Sequence, residues 1–198
     1  MAEIVLFHSI LGLRPAVGEA ADRLRAAGHT VHTPDLFGGR TFDEYDPAFA
    51  WVESSGVDQQ LVDLTHAAVE SLPAGLVYAG FSLGAFCAEL LAGTRPGARG
   101  LVLLHGAISL SGIEAEAWPG NVPVQVHYAL DDPYREQDEL EAFEAAVHAS
   151  GADYELYNYQ IAGHLFTDRG LPEEYHEQSA DQLYSRVLDF LGRIDKPQ

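Results

Sequence analysis

The sequence predicts an α/β fold in which helices cover both faces of a mostly parallel sheet. Short apolar segments with strand character alternate along the chain with segments of helical spacing, which is typical of such folds. The 198 residues, 47% of them hydrophobic, are enough for one large core. No repeat, linker or low-complexity tract divides the chain. We therefore expect a single domain over residues 1–198, with residues 194–198 as a candidate frayed tail.

Six short apolar segments are predicted to form the strands of this sheet. Residues 4–7 and 100–104 are apolar along their whole length, as in a strand buried on both faces. In a longer segment, Val124, Val126 and Tyr128 lie on one side, because side chains alternate along a strand. The predicted strands span residues 4–7, 31–33, 76–79, 100–104, 122–130 and 154–159.

The segments between the strands have helical spacing. Pro15 is a good first residue for a helix, Ala20 and Leu24 share one face of it, and Gly28 ends it. Residues 36–56 are rich in glycine, aspartate and aromatic residues, which predicts a long loop with a short helix. The predicted helices span residues 15–27, 57–71, 85–92, 137–150 and part of 173–194.

Composition excludes several kinds of partner. The formal net charge is -19 and Lys196 is the only lysine, so we expect no nucleic-acid surface, which needs clustered basic residues. No run of eighteen apolar residues is present, so we expect no membrane partner. The single cysteine, Cys87, allows no intrachain disulfide, and the amino-terminal segment lacks signal-peptide features, which favours a cytoplasmic protein. An anionic substrate would require local arginines to offset the acidic surface.

The segment Gly80-Phe81-Ser82-Leu83-Gly84 matches the motif G-x-S-x-G. It lies directly after a predicted strand and directly before a predicted helix, the position of a nucleophile elbow. In such a sharp turn the residues two before and two after the serine pass close together, so side chains at Gly80 and Gly84 would clash. The turn would expose the Ser82 hydroxyl above a helix amino terminus, whose free N–H groups favour negative charge. The alternative is a plain glycine-rich turn.

A candidate base and a candidate acid follow two later strands. A serine hydroxyl needs a base within hydrogen-bond reach, and His164 comes just after the strand 154–159, at the edge where ligand-facing groups collect. Asp131 and Asp132 follow the preceding strand at the same edge. Pro133 biases Asp132 towards an extended backbone, so we favour Asp132 and keep Asp131 as the alternative. The order Ser, Asp, His is that of α/β-hydrolases.

Taken together, these motifs resemble the dienelactone hydrolase family of α/β-hydrolases, over nearly the whole chain. The resemblance implies an α/β-hydrolase fold with the acid and base at Asp132 and His164. It also implies an oxyanion hole built from the backbone N–H of Leu83 and one from the first loop, for which Ile10 is the best match. The chain is short for this fold, so we expect no separate lid domain. The landmarks of the resemblance are residues 6–13, 32–40, 80–84, 128–133 and 159–166.

Two departures from the family pattern concern the chemistry. Members that cleave dienelactone typically use a cysteine nucleophile and carry a glutamate in the first loop, where this chain has Ser82 and Ser9. Both departures favour a serine carboxylesterase on the same scaffold. For the family's substrate-binding arginines the nearest candidates are Arg40 and Arg169, and pairing with Asp35 is the alternative for Arg40.

Further substrate-binding candidates lie close to the predicted sheet edge. His105 ends the strand after the elbow, with a packing role as the alternative. Aromatic residues of the segment 36–56 could wall a pocket, with local packing as the alternative. The candidate substrate-binding residues are Ser9, Arg40, His105 and Phe37, and the aromatic residues of the segment are Phe37, Phe42, Tyr45, Phe49 and Trp51.

The sequence therefore predicts a serine hydrolase that cleaves a small carboxylic ester or lactone through an acyl-enzyme. This mechanism needs no metal and no cofactor, and the protein is expected to be a monomer or homodimer. One alternative is a non-catalytic module that binds small molecules on a hydrolase scaffold, because fold alone does not set function. Another is a flavodoxin-like nucleotide binder, which is disfavoured because the first loop, residues 8–12, has a single glycine.

Overall fold

The strands of the central sheet are covered on both faces. Consecutive side chains of a strand point to opposite faces, so a strand that is apolar throughout needs a cover on each side. In the first strand, Ile4 and Leu6 lie in one core cluster, whereas Val5 and Phe7 lie in the other. The computed structural model describes residues 1–194, and its six strands are β1 (Glu3–Phe7), β2 (Thr30–His32), β3 (Val77–Phe81), β4 (Gly100–Leu104), β5 (Val124–Asp131) and β6 (Tyr154–Ala162).

All neighbouring strands pair in parallel, in the order β2-β1-β3-β4-β5-β6. Their carboxyl ends therefore share one edge of the sheet. Ser82 follows β3, Asp132 follows β5 and His164 follows β6, so the three candidate catalytic residues lie at this edge. β3 and β6 are three strand spacings apart, about 14 Å at the usual separation. The segment after β6 must therefore run back along the edge to bring His164 towards Ser82.

Helices bury both faces of this sheet. Along the last helix Leu183, Val187, Phe190 and Leu191 recur at helical spacing, and all four are buried in the core cluster that contains Ile4. Burial of four such side chains stabilises the fold by about 1.5–3 kcal/mol for each. The helices are α1 (Pro15–Ala26), α2 (Tyr45–Ser55), α3 (Val57–Ala67), α4 (Leu83–Thr94), α5 (Gln137–Ser150) and α6 (Glu177–Ile194), with a 3₁₀ turn at Leu110–Ile113.

The two faces receive different helices. α1 and α6 contribute to the cluster on one face, whereas α3, α4 and α5 contribute to the cluster on the other. Nearly every residue from Gly84 to Ala92 in α4 is buried, as expected of a helix that lies over the middle of a sheet. Because α4 begins directly after Ser82, the most deeply packed helix of the fold holds the carboxyl side of the candidate nucleophile.

The predicted fold class is confirmed, and most predicted bounds differ from the observed ones by a few residues. The largest error concerns residues 36–56, where a long loop with a short helix was expected and the eleven-residue helix α2 is found. Pro47 is compatible with this helix because it lies in the first turn, where its missing N–H has no intrahelical acceptor. Ala48 is buried and Trp51 and Val52 pack on the core, so tertiary contacts support the helix.

The last helix, α6, extends to the end of the described residues. Ile194 is the last residue of the final helix, and residues 195–198 of the candidate frayed tail lie outside the described part of the chain. Within residues 1–194, none of the helices combines the length and apolar character needed to span a bilayer. In the same range, no group of three or more His, Cys, Asp or Glu side chains is arranged to hold a metal ion.

Candidate active site

Ser82 lies on a strained turn between β3 and α4. Its backbone has φ 52° and ψ -113°, a region that residues other than glycine rarely occupy. The turn is possible because glycines flank it: a Cβ on Gly80 would collide with the carbonyl group of Gly84. The Ser82 N–H donates to the Leu104 carbonyl over 2.8 Å, and the Ala85 N–H donates to the Ser82 carbonyl over 2.7 Å. Backbone contacts on both sides therefore fix the turn.

His164 lies between Ser82 and Asp132. Its Nε2 is 2.6 Å from Ser82 Oγ, and its Nδ1 is 2.8 Å and 2.9 Å from the two carboxylate oxygens of Asp132. An ionised carboxylate only accepts hydrogen bonds, so the ring proton belongs on Nδ1 and Nε2 is left to accept the serine proton. Asp132 is buried, whereas Asp131 is exposed and pairs with Ala162 in the sheet. Of the two aspartates, the structure therefore brings Asp132 to the imidazole.

The loop after β1 packs directly on the nucleophile turn. A Cβ on Gly84 would lie 2.5 Å from the His8 carbonyl oxygen and 2.6 Å from that of Phe7, so only glycine fits. This contact brings the loop that contains Ile10 next to the start of α4. Among the hydrogen bonds of residues 1–194, the backbone N–H groups of Ile10 and Leu83 donate to no acceptor. The assignment of these two groups to an oxyanion hole stays a prediction.

This fold and site match known proteins. The model of the dienelactone hydrolase family matches residues 1–195. The chain belongs to the dienelactone hydrolase family. It is accordingly a hydrolase with the α/β-hydrolase fold. No curated protein matches the chain in a sequence comparison.

Solved structures agree with this family assignment at the level of the fold. A dienelactone hydrolase-like promiscuous phosphotriesterase, P91, from metagenomic libraries is similar over 98% of this chain and 87% of its own, with a TM-score of 0.81 and 18% identity. Esterase 2 of Thermogutta terrifontis, in a structure phosphorylated by paraoxon, is similar over 100% of this chain and 85% of its own, with a TM-score of 0.64 and 16% identity. At these identities the likeness concerns the fold alone.

Two residues predicted to bind substrate in this dienelactone hydrolase family member are buried. The Ser9 hydroxyl accepts the Leu11 N–H over 3.2 Å and so stabilises its own loop. Phe37 packs edge-on against His8 and Trp51, at ring-centroid distances of 4.8 Å and 4.9 Å. Both side chains are enclosed by protein in this structure, and their contact with substrate stays a prediction.

Both arginine candidates contact side chains other than those of Ser82 and His164. The Arg40 guanidinium lies over the Trp51 ring, 5.2 Å from its centroid, while Asp35 accepts backbone N–H groups of its own loop. Arg169 forms an exposed ion pair with Glu177 over 3.3 Å. The predicted substrate-binding role of Arg40 is therefore unsupported, and so is its alternative pairing with Asp35. Within residues 1–194, neither guanidinium forms a hydrogen bond or ion pair with Ser82, His164 or Asp132.

The His105 ring lies beside that of the candidate base, His164. His105 follows β4, with φ 64° and only 1% of its surface exposed, and its ring lies 6.2 Å from that of His164 and 4.6 Å from that of Phe166. Its Nε2 is 3.2 Å from the Thr167 hydroxyl. Burial lowers the pKa of His105 well below its ordinary value, so the ring is neutral. Substrate contact by His105 stays a prediction; in this structure its ring packs on Phe166 beside the imidazole of His164, which is the packing role named as the alternative.

Glu174 fixes the backbone of the His164 loop and was not foreseen from the sequence. One of its carboxylate oxygens accepts the N–H of His164 over 2.6 Å, that of Leu165 over 2.7 Å and the Tyr45 hydroxyl over 3.1 Å. Gly163, with φ 98°, lets the loop approach the carboxylate, because a Cβ there would lie 3.0 Å from the Cβ of Glu174. Charge-assisted hydrogen bonds of this kind are short and strong, so the loop has one defined position.

A second polar contact connects the two loops beside the site. Arg14, buried at the start of α1, donates from Nε to Asp168 over 2.8 Å and from Nη1 to the Phe42 carbonyl over 2.6 Å. Asp168 also accepts the Gly170 N–H over 2.7 Å. Arg14 thereby joins the loop after β1, the segment before α2 and the loop after β6. No sequence motif signals this contact, because its charged partners lie 154 positions apart.

The aromatic residues of the segment 36–56 divide into two groups. Phe37 and Phe42 both pack on Trp51, the latter at a ring distance of 5.6 Å, which is the local packing kept as an alternative above. Tyr45 and Phe49 instead lie towards the candidate base, and the Tyr45 ring is 6.0 Å from the imidazole. Only the second group borders the site.

Cys87 has a buried environment. It lies in α4, five residues after Ser82, and is fully enclosed by the core. Burial raises the pKa of its thiol to about 12, so the thiolate is scarcely populated near neutral pH. Cys87 therefore packs as a small hydrophobic residue.

Proposed function

We propose that this family member is a carboxylic ester hydrolase that uses Ser82 as its nucleophile. One observation carries the proposal: Ser82 Oγ, both ring nitrogens of His164 and the Asp132 carboxylate form a continuous line of contacts of 2.6–2.9 Å. This line gives the serine a base within reach and gives the base an orienting carboxylate. The substrate class is a small ester or lactone, because both present a carbonyl carbon to the same nucleophile.

In the first half of the reaction, Ser82 Oγ attacks the carbonyl carbon while His164 Nε2 takes the hydroxyl proton. The carbonyl oxygen becomes an oxyanion, for which we assign the N–H groups of Leu83 and Ile10 as donors. Each such donor contributes about 10²–10³-fold to the rate in measured cases. Asp132 stabilises the imidazolium. The tetrahedral intermediate then expels the alcohol, which receives the proton from Nε2, and leaves an acyl group on Ser82.

In the second half, His164 removes a proton from water, and the resulting hydroxide attacks the acyl carbon. The second tetrahedral intermediate expels Ser82 Oγ, which regains the proton from His164, and the acid is released. Each step conserves protons without an added metal or redox group. In a lactone the alcohol and the acid belong to one molecule, so the ring-opened hydroxy acid leaves only after this half.

The test combines covalent labelling with hydrolysis. We expect a fluorophosphonate probe to label the wild-type protein at Ser82, located by peptide mass spectrometry, and p-nitrophenyl acetate to be hydrolysed. Ser82→Ala should abolish labelling and lower kcat by about 10⁶-fold. Ser185→Ala, which removes an exposed hydroxyl from α6, is the matched control and should behave like wild type.

The competing function is a module that binds small molecules without turnover. An unlabelled wild-type protein, or equal hydrolysis by wild type and Ser82→Ala, would favour that function. The cytoplasmic location and the monomeric or homodimeric state stay predictions, which fractionation and size-exclusion chromatography with light scattering can test.

A further inference from the structure

Two aromatic rings lie beside the imidazole of His164, and a third packs on one of them. The Tyr134 ring lies 4.9 Å from the His164 ring, and the Tyr45 ring lies 6.0 Å from it. Phe49 extends the group, with its ring 5.9 Å from that of Tyr134. Phe49 and Tyr134 are 45% and 43% exposed, which is unusual for rings of this size. We call Tyr45, Phe49 and Tyr134 the aromatic rim.

The aromatic rim lies in an acidic field. Burial raises the pKa of Tyr134, and the carboxylates of Asp46, Glu174 and Asp132 raise it further. Burial and the carboxylate of Glu174 also raise the pKa of Tyr45. The charged side chains that act on both hydroxyls are therefore carboxylates, and the chain as a whole carries a formal charge of -19.

The charged groups that act on the Tyr45 and Tyr134 hydroxyls include no arginine. Arg135 follows Tyr134 in the chain, but its guanidinium lies over the Tyr128 ring and donates to Asn158 over 2.6 Å and to Gln137 over 3.0 Å. Arg40 lies over Trp51, as described above. Aromatic faces carry partial negative charge, so exposed rings beside carboxylates attract cations, and quaternary ammonium groups in particular. An anion would meet repulsion at the same place.

The position of the aromatic rim relates it to one part of the substrate. In the proposed mechanism His164 Nε2 gives its proton to the departing alcohol, so the alcohol oxygen must lie within hydrogen-bond reach of that nitrogen. Groups attached to the alcohol oxygen then extend towards whatever borders the imidazole. The exposed ring beside the imidazole is that of Tyr134, and the exposed ring of Phe49 packs on it.

We propose that the aromatic rim and Asp46 form a binding site for a positively charged, ammonium-bearing alcohol portion of the substrate. The proposal rests on the proposed function for its place in the reaction, since it names which esters this hydrolase selects. It also makes a prediction about binding alone, which holds whether or not the chain turns substrate over.

Binding is measured on Ser82→Ala, which keeps the rim intact. Choline and its uncharged isostere 3,3-dimethylbutanol have the same shape and differ in charge. We expect choline to bind about tenfold more tightly, by ligand-observed NMR titration at low salt, because a cation gains from both the rings and the carboxylates. Equal affinities, or no measurable binding of choline, would overturn the proposal.

Two substitutions locate the effect. Phe49→Leu keeps an apolar side chain but removes the ring, and Asp46→Asn removes one negative charge; each should reduce the choline advantage about threefold. Asp58→Asn is the matched control, because Asp58 is an exposed carboxylate in the first turn of α3 as Asp46 is in that of α2. A reduction by Asp58→Asn equal to that by Asp46→Asn would assign the preference to net charge and contradict the proposed site.

Kinetics on the active protein separates this inference from the proposed function. The acetate esters of choline, 3,3-dimethylbutanol and 3-hydroxypropanesulfonate share one acyl group, and kcat/KM is divided by the rate of hydroxide hydrolysis of each. We expect the corrected values to fall in that order, with about tenfold between the first two. Hydrolysis of all three without preference would contradict the inference and leave the proposed function intact. Tighter choline binding without Ser82-dependent hydrolysis would support the binding site and contradict the proposed function.

Discussion

The candidate nucleophile and the candidate base are held in place by different physical means. Ser82 is fixed by backbone: two glycines that pass each other, a strand before it and a buried helix after it. His164 follows an edge strand and is fixed by side chains from elsewhere, namely Asp132 at its ring and Glu174 at its backbone. Substitutions around Ser82 should therefore lower the stability of the protein. Substitutions around His164 should instead lower its activity while it remains folded.

The largest expected effect comes from the ring contact of the base. Asp132→Asn should lower kcat by about 10⁴-fold, because an amide that donates towards Nδ1 favours the wrong tautomer of His164. The protein should keep its circular dichroism spectrum and its thermal midpoint within a few degrees. Stopped-flow or extended steady-state assays with p-nitrophenyl acetate measure the rate.

Asp131→Asn is the control for this substitution. Asp131 is adjacent in sequence but exposed, so its activity should stay within about twofold of wild type. A large loss in Asp131→Asn together with a small loss in Asp132→Asn would show that the base is oriented by the other carboxylate.

The second effect tests the opposite region. Gly84→Ala would place a Cβ against the carbonyl oxygens of Phe7 and His8, and backbone cannot move aside as a flexible side chain can. We expect the free energy of unfolding to fall by about 3 kcal/mol, measured by urea denaturation. Gly192→Ala is the control: it lies in α6 with open space around it, so helix propensity should leave stability unchanged or raise it. Equal behaviour of the two variants would mean that the turn is not held by packing.

The same contrast explains how much could be predicted from the sequence. The nucleophile turn was predictable because its determinants are local: Gly80, Ser82 and Gly84 lie within five positions, after an apolar strand. That Asp132 and His164 lie at the same edge of the sheet as Ser82 was predictable, because the carboxyl ends of parallel strands share one edge. It was enough to recognise the strand that precedes each residue. The fold class followed from the same alternation of strands and helices.

The supports of the base could not be predicted in this way. Glu174 lies ten positions after His164 in a segment without regular structure, and nothing in its neighbours distinguishes it from the other acidic residues of the chain. His105 was predicted as a substrate-binding candidate because it follows a strand at the edge that holds Ser82. Its contacts with Phe166 and Thr167 come from the segment after β6, which no local pattern reports. Helix α2 was missed because Ala48 and Trp51 support it through tertiary packing, which a local pattern does not report.

The third prediction concerns the backbone of the base. Glu174→Ala removes the acceptor of two loop N–H groups, so His164 should sample positions beyond hydrogen-bond reach of Ser82 and kcat should fall by about 10²-fold. Glu174→Gln retains a side-chain oxygen at the same place and should recover most of the loss, with KM little changed in both variants. Loss of activity that tracks the thermal midpoint, with no rescue by glutamine, would indicate a structural role only.

The smallest expected effect on kcat comes from the third hydrogen bond that Glu174 accepts, which is donated by the Tyr45 hydroxyl. Tyr45→Phe removes one hydroxyl that donates over 3.1 Å and leaves the ring in the aromatic rim. A hydrogen bond to a charged group contributes about 1.5–3 kcal/mol, but here two backbone N–H groups remain on the same oxygen, so we expect kcat to fall only about threefold. Because burial and Glu174 raise the pKa of Tyr45, the hydroxyl stays protonated throughout the assay range, and this ratio should be constant from pH 6 to pH 9. The choline advantage should also persist, since it depends on the ring. A kcat ratio that varied over this pH range would mean that the Tyr45 hydroxyl takes part in proton transfer and does more than hold the carboxylate in place.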